Sequence, residues 1–355
     1  MTIFGIAGCM ALLLFGFAIK DSVTDLMPRQ YEQTFNYDLM VVSNTEDHLE
    51  ILADLDKDQN IADYLDVEIT SADLQIADGE KASVQLIIVP QGKNLSEYIH
   101  MKDLDGNELT LQDGDVYITQ NAGSVLGFEN GDQITMQLLD LQEAEIPVTE
   151  LVQNYLGNYV YMTSATFEEY YDAYEANGVL LHFSNQCRDQ VSWADDFSER
   201  DGVLSCVSTQ ELKDQFSTAF VLINMIVYVV IIMSAALAFV VLFTLSTTNI
   251  SERERELATI KVLGFFDNEV HLYVNKETLI LTLIGIVLGV PLGTAFAQTL
   301  TVILNLPSIY LAVSLHPVSY LIAAGLSFGF ALIVNLIMNR SVNAIDPVEA
   351  LKSIE

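Results

Sequence analysis

The chain has 355 residues, of which 51% are hydrophobic, and its formal net charge is -33. These values rarely occur together in one soluble domain, and the negative charge also argues against a nucleic-acid partner. The charge is concentrated, because residues 21–216 hold 39 of the 48 acids and 8 of the 15 bases. The sequence therefore separates into an acidic, water-facing block and apolar segments outside it.

Four uncharged apolar runs lie outside the acidic block, at residues 2–19, 219–245, 279–300 and 318–338. Each is close to the roughly 20 residues that a helix needs to cross a bilayer, and four such runs argue against buried core helices. A cleaved signal peptide is not expected at the first run, since no Lys or Arg precedes it and no A-x-A site follows it before Lys20. The sequence predicts an α-helical membrane protein with four transmembrane helices and a mixed α/β extracytoplasmic domain between helices 1 and 2.

Lys and Arg in the short loops predict the orientation, because cytoplasmic loops carry an excess of both. The loop between the second and third apolar runs contains Arg253, Arg255, Lys261 and Lys276, and the C-terminal tail contains Arg340 and Lys352. The loop at 301–317 contains no Lys or Arg. The predicted regions are transmembrane helix 1 (1–20), an acidic extracytoplasmic domain (21–216), transmembrane helix 2 with a stalk (217–246), a cytoplasmic coupling-helix region (247–275), transmembrane helix 3 (276–300), an extracytoplasmic loop (301–317), transmembrane helix 4 (318–338) and a cytoplasmic tail (339–355).

Within the acidic domain, β-branched runs bounded by turn residues predict strands at 37–42, 83–89 and 133–139. Helices are predicted at 45–55 and 164–178, the second ending at Gly178. Asp-Gly and Asn-Gly turns are predicted at 103–108 and 129–133.

No catalytic, cofactor-binding or metal-binding residue is predicted in this sequence. Asp54, Asp56, Asp58 and Asn60 alternate as in a calcium-binding EF-hand loop, but Gln59 stands where that loop needs Gly, and Leu65 where it needs Glu. A solvated acidic segment is therefore expected there. Cys187 and Cys206 could form a disulfide in an oxidising exterior or remain free thiols.

The stretch "SERERELATIKVLGF" follows the second apolar run. Ser251 and Glu254 fit a capping box, and Glu252–Arg255 and Arg253–Glu256 are pairs three residues apart on one helix. After these pairs the pattern predicts an apolar ridge formed by Leu257, Ile260 and Leu263. Gly264 is predicted to end the helix. An alternative is a loop whose arginines only anchor the topology.

Two glycine series predict close helix packing in the membrane, either within the chain or against a second unit. Gly285, Gly289 and Gly293 repeat every four residues in the third run, and Gly325 and Gly329 do so in the fourth. The second run is about 40 Å long as a helix, which exceeds the hydrocarbon thickness and suggests a stalk.

The stretch "ERERELATIKVLGF", the terminal "DPVEALK" (346–352) and the four-span plan together resemble the FtsX-like permease family of ABC transporters, which includes MacB-type permeases. The resemblance implies that the Glu/Arg-rich helix couples to a separate cytoplasmic ABC ATPase. It also implies that ATP is used by this partner, while no cofactor is bound by the chain itself. The residues assigned to coupling are Glu252, Arg253, Glu254, Arg255, Glu256, Leu257, Ile260, Lys261, Leu263 and Gly264.

By the same resemblance, the chain is expected to be a C-terminal four-span unit that pairs with a second permease unit, as a homodimer or as one half of a longer permease. The expected function is that of a non-enzymatic permease in the bacterial plasma membrane. It would export, release or sense a peptide, lipoprotein or lipid, including an antimicrobial peptide. The alternative is a membrane-anchored extracytoplasmic sensor or scaffold that has no ATPase partner.

Overall fold

A computed structural model describes residues 2–75, 81–303 and 308–343. The chain forms two compact units: a membrane unit (Met1–Val23, Val221–Ile303 and Val313–Glu355) and an acidic unit (Thr24–Phe220 and Leu304–Ala312). The predicted terminal motif at 346–352 lies outside the described residues.

The helices of both units are, in chain order, α1 (Thr2–Pro28), α2 (His48–Leu55), α3 (Gln120–Leu126), α4 (Ser164–Phe167), α5 (Gln190–Ser198), α6 (Thr209–Glu252), α7 (Glu254–Val262), α8 (Asp267–Ile303) and α9 (Pro317–Asn343). The strands all belong to the acidic unit: β1 (Leu39–Ser43), β2 (Ile61–Gln75), β3 (Lys81–Val89), β4 (Met101–Lys102), β5 (Glu108–Leu109), β6 (Val116–Thr119), β7 (Gln133–Leu138), β8 (Glu143–Pro147), β9 (Glu150–Val152), β10 (Tyr159–Thr163), β11 (Gly178–Phe183) and β12 (Val203–Ser208).

Four of these helices are long and apolar enough to cross a membrane, at Ile3–Thr34, Asn224–Glu252, Asn275–Thr299 and Pro317–Met338. An α/β domain is inserted between the first and the second of them. The predicted fold class is therefore confirmed.

The first helix is longer than the predicted span at 1–20. It continues to Pro28 and then into a π-helical turn at Arg29–Thr34. The π turn follows Pro28 directly, and the Phe35 N–H donates to the Gln30 carbonyl five residues earlier at 2.7 Å. The second long helix, α6, also exceeds the prediction and begins at Thr209, directly after the last strand.

The acidic unit is built around one mixed sheet with the strand order β12-β1-β11-β2-β3-β10-β6-β9, and β7 and β8 extend it from β2. The long strand β2 is shared between two parts of this sheet. Its residues 61–67 pair with β11, and its residues 68–75 pair with β3. Helices α2 and α5 pack on the β1–β11 part, where Leu39, Ile51 and Phe197 are buried in one core.

The three predicted strands are confirmed as β1, β3 and β7, whereas the predicted helix at 164–178 is mostly wrong. Only Ser164–Phe167 is helical, and Gly178 begins β11 instead of ending a helix. Phe167 and Tyr171 are buried against the β3–β10 core, and the Tyr171 hydroxyl donates to the carbonyl of Met136. These tertiary contacts override the local helix propensity.

Candidate functional site

The junction between α6 and α7 differs from the predicted capping box. Helix α6 continues through Ser251 to Glu252, and Arg253 occupies the N-cap position of α7 without a side-chain cap hydrogen bond. The prediction that Ser251 caps this helix is wrong, because extending an existing helix costs less than nucleating a new one two residues earlier.

Arg253 joins three helical segments at this junction. Its Nε donates to Glu256 at 3.1 Å, which confirms the predicted pair three residues apart. Its Nη1 donates to Glu277 of α8 at 2.5 Å, a partner that the sequence pattern did not indicate. Both carboxylates raise the pKa of Arg253 above its usual range, so the guanidinium remains charged.

The predicted apolar ridge is divided between the interior and the solvent. Leu257 is 3% exposed and packs with Ala258 and Val270 in a small core between α7 and α8, with Ile260 half-buried beside it. Leu263, by contrast, is 73% exposed. The prediction of one continuous docking ridge is therefore wrong, since its first part already has a partner within the chain.

The exposed apolar side chains cluster instead at the turn between α7 and α8. Val262, Leu263, Phe265 and Phe266 are 62%, 73%, 53% and 77% exposed, and we call these four residues the apolar tip. Gly264 has a φ of 93°, a conformation that favours glycine, and it ends α7 there as predicted. The signal for this tip was present in the letters "VLGFF", where apolar residues continue past the helix stop.

The other predicted coupling residues lie at the end of α6 and along α7. Glu252, Glu254, Arg255 and Glu256 are exposed, and Lys261 is partly exposed near the end of α7. The charged side chains and the apolar tip thus lie on the surface of one short segment.

The glycines of α8 face α1 within the membrane unit. A Cβ on Gly285 would lie 2.6 Å from Ile6, one on Gly289 would lie 2.5 Å from Met10, and one on Gly293 would lie 2.8 Å from Leu14. These positions therefore accept only glycine if the two helices keep their distance. On α9, by contrast, a Cβ on Gly325 or Gly329 would meet no described atom within 4 Å.

A polar cluster that the sequence did not reveal joins the interior of α1 to the start of α9. Asp21 is 1% exposed, and its carboxylate accepts hydrogen bonds from the Ser319 hydroxyl at 2.5 Å and the His316 backbone N–H at 3.0 Å. Lys20 forms an ion pair with the same carboxylate at 3.3 Å. Asp21 thus caps the start of α9 from a different helix.

The remaining candidate residues of the acidic unit are held by the protein itself. Asp54 pairs with Arg200, and Asp58 accepts from the indole N–H of Trp193. Within the described ranges, no group of three His, Cys, Asp or Glu side chains could hold a metal ion. Cys187 and Cys206 are free thiols, and burial raises the pKa of Cys206 to about 12.

Comparisons with known proteins give a family match in sequence and matches to solved structures, two of which are described here. Residues 228–347 match the family described as FtsX-like permease C-terminal. The periplasmic region of MacB from Actinobacillus actinomycetemcomitans is similar at 11% identity and a TM-score of 0.32, over 54% of this chain and 97% of that one. The extracellular domain of the noncanonic ABC-type transporter YknZ from Gram-positive bacteria is similar at 10% identity and a TM-score of 0.31, over 48% of this chain and all (100%) of that one. None of the curated proteins matches this chain.

Proposed function

We propose that this chain, whose residues 228–347 form an FtsX-like permease C-terminal domain, is the permease subunit of an ABC transporter driven by a separate cytoplasmic ATPase. In this proposal the chain itself is not an enzyme and binds no ATP. The observation that carries the proposal is the apolar tip, which is exposed in a segment rich in charged residues.

The position of the apolar tip favours a protein partner over lipid. Helix α8 begins at Asp267, and its candidate span begins at Asn275, so the tip lies about 12 Å along the helix from the apolar span. Exposed apolar patches mark interaction sites for proteins or membranes, and we infer a protein partner from the distance of this patch from the apolar span. Two phenylalanines beside charged residues also match the composition of binding hot spots and their rims.

The contacts of α7 suggest how a push on the tip would spread. Helix α7 follows α6 directly, and it is joined to α8 by the Arg253–Glu277 ion pair and by the packing of Leu257 on Val270. A partner that moves α7 would therefore move α6 and α8 together. We infer that this movement reaches the acidic unit, since α6 continues into it without interruption.

The acidic unit is proposed to bind the molecule that is exported, released or sensed. An open cleft of about 440 Å³ in this unit is lined by the carboxylates of Glu68, Asp140, Asp172 and Glu175. Burial raises the pKa of Glu68, and a hydrogen bond from the Glu175 backbone N–H partly opposes this shift. The surrounding negative charge favours a cationic ligand, and a cationic peptide is the member of the expected substrate classes that fits this charge.

We place the chain in the bacterial plasma membrane, with the acidic unit outside and α7 in the cytoplasm, on the strength of the Lys and Arg distribution. A second permease unit would complete the transporter. The glycines of α8 already face α1, so we propose the open glycines of α9 as positions where that second unit packs.

The test is co-purification of an ATP-hydrolysing subunit with variants of the apolar tip. The double variant Leu263→Asp with Phe266→Asp should insert into the membrane at normal levels, because both side chains are exposed. It should no longer bind the ATPase, because two charges replace apolar side chains of the proposed docking surface. The matched control is Leu49→Asp on α2, where the leucine is 78% exposed in the acidic unit.

The control should retain the ATPase. If the tip variant also retains it, the tip is not the docking surface. If no ATPase co-purifies with the unmodified chain, the sensor or scaffold function is favoured instead.

A further inference from the structure

The loop between β9 and β10 is held by a buried side chain from the π-helical turn that follows α1. Gln30 is 0% exposed. Its Oε1 accepts the backbone N–H groups of Tyr155 at 2.9 Å and Leu156 at 3.0 Å, and its Nε2 donates to Asn154 Oδ1 at 2.9 Å. One glutamine therefore satisfies two backbone donors of the loop and orients a second amide.

That second amide holds the loop from the other side. Asn154 is 1% exposed, and its Nδ2 donates to the carbonyls of Leu156 at 2.8 Å and Gly157 at 2.9 Å. We call Gln30 and Asn154, with the loop backbone at 154–157, the amide clasp. A buried polar network whose groups are all paired fixes one arrangement of the backbone, because each alternative leaves a polar group unsatisfied.

The loop in turn holds the chain segment that connects α8 to α9. Leu156 and Ile309 form an antiparallel bridge. The Gly157 N–H donates to the Ser308 carbonyl at 2.9 Å, and the Tyr310 N–H donates to the Tyr155 carbonyl at 3.0 Å. Residues 308–310 are thus carried on the acidic unit by two main-chain hydrogen bonds to the clasped loop.

We propose that the amide clasp is a rigid joint that keeps residues 308–310 on the acidic unit throughout the transport cycle. The acidic unit would then receive movement from the α8–α9 connection as well as from α1 and α6. Gln30 is the positioning residue of this joint. The source of the movement rests on the proposed function, whereas the rigidity of the joint does not.

Two main-chain bonds alone would not hold such a connection, because short edge pairings open readily. A receiving loop that is already fixed lowers the entropy lost on pairing. The π-helical turn that places Gln30 also fits this role, since π-helical segments occur frequently at functional sites.

The first experiment measures the joint by cross-linking, in a chain whose native Cys9, Cys187 and Cys206 are replaced. Leu156→Cys and Ile309→Cys form the pair. The hydrogen bonds flank this pair, so its Cα atoms are expected about 4.5 Å apart, within the range of a disulfide. The disulfide should form in high yield in membranes, equally without nucleotide and after trapping with ATP and vanadate. A yield that falls in either condition would show that the joint opens, and would overturn the proposal.

The second experiment alters the clasp. Gln30→Ala should lower the cross-linking yield and speed amide hydrogen exchange at Tyr155 and Leu156 by about fivefold or more, because each loses its acceptor. Gln30→Glu keeps an acceptor for the two N–H groups, but it buries a charge and sets its second oxygen against Asn154 Oδ1, so it should also lower the cross-linking yield. Gln33→Ala, on an exposed glutamine of the same turn, is the matched control and should change neither. Unchanged exchange in both Gln30 variants would contradict a positioning role.

The third experiment uses the full chain with its co-purified ATPase in lipid nanodiscs. Hydrogen exchange of the acidic unit is compared between the nucleotide-free and vanadate-trapped complexes. The unmodified chain and Gln33→Ala should show a nucleotide-dependent difference, and Gln30→Ala should reduce it while the rate of ATP hydrolysis stays normal. A full difference in Gln30→Ala would overturn the transmission role. No difference in the unmodified chain would count against the proposed function, and the cross-linking yields would still decide whether the joint is rigid.

Discussion

The two ends of α7 contain similar residues in opposite surroundings. Leu257, near the start, is 3% exposed and packs on α8, whereas Leu263, near the end, is 73% exposed. The glycines of the membrane helices repeat this contrast, since a Cβ on Gly289 of α8 would clash with Met10 of α1, whereas a Cβ on Gly329 of α9 would meet no described atom within 4 Å. Spacing in a sequence therefore identifies residues that share a face. Whether that face is internal or open to a partner depends on a second element that the spacing does not reveal.

The largest expected effect is the difference in stability between aspartate variants of the two leucines. Leu257→Asp would place a carboxylate in the core with Ala258 and Val270, and an uncompensated buried charge costs about 3–5 kcal/mol. Leu263→Asp should change the free energy of unfolding by less than about 0.5 kcal/mol, because the side chain is exposed. Thermal unfolding of the two purified variants measures the contrast. Equal unfolding temperatures would mean that Leu257 is not part of a core.

A smaller effect separates the two glycine series. Gly289→Leu would force side-chain atoms against Met10 and the Ala7 carbonyl, and overpacking of this kind costs about 3 kcal/mol. Gly329→Leu should leave the stability of the isolated chain unchanged. The measurements are thermal unfolding and the oligomeric state in detergent. A Gly329→Leu chain that is stable but no longer associates would place the second permease unit on α9.

The smallest effect separates the two arginines of the junction. Arg253→Glu would bring a third carboxylate beside Glu256 and Glu277 and should lower the free energy of unfolding by about 1–2 kcal/mol. Arg255→Glu, on an exposed side chain, should change it by less than about 0.5 kcal/mol. If Arg255→Glu nevertheless loses the ATPase, charge at this surface contributes to docking. If Arg253→Glu unfolds at the normal temperature, its ion pairs are not structural.

The four-span plan and the match of residues 228–347 to the FtsX-like permease model could be predicted from the sequence because both depend on local signals. Apolar runs of membrane length and the stretch "ERERELATIKVLGF" can be read without knowing which segments meet, and the resemblance they suggested is confirmed over residues 228–347. Three strands were predictable for the same reason.

The features that failed depend on distant partners. The predicted helix at 164–178 is replaced by contacts with β7, and the predicted docking ridge is divided because Val270 covers its first part. Gln30 and Asn154 are separated by 124 positions, and Asp21 and Ser319 by 298. No local pattern indicates that such residues will meet, so both polar clusters emerge only from the fold.

The order of strands in the acidic unit has a consequence for its folding during synthesis. The first strand, β1, pairs with β11 and with β12, the last strand of the domain, which ends at Ser208 directly before α6. Both partners emerge from the ribosome more than a hundred residues after β1, and pairings of such large sequence separation form slowly. Strand β1 must therefore remain without its two neighbouring strands, with its buried side chains uncovered, until almost the whole domain has been made. Completion of this sheet and emergence of the second membrane helix thus fall at nearly the same moment of translation.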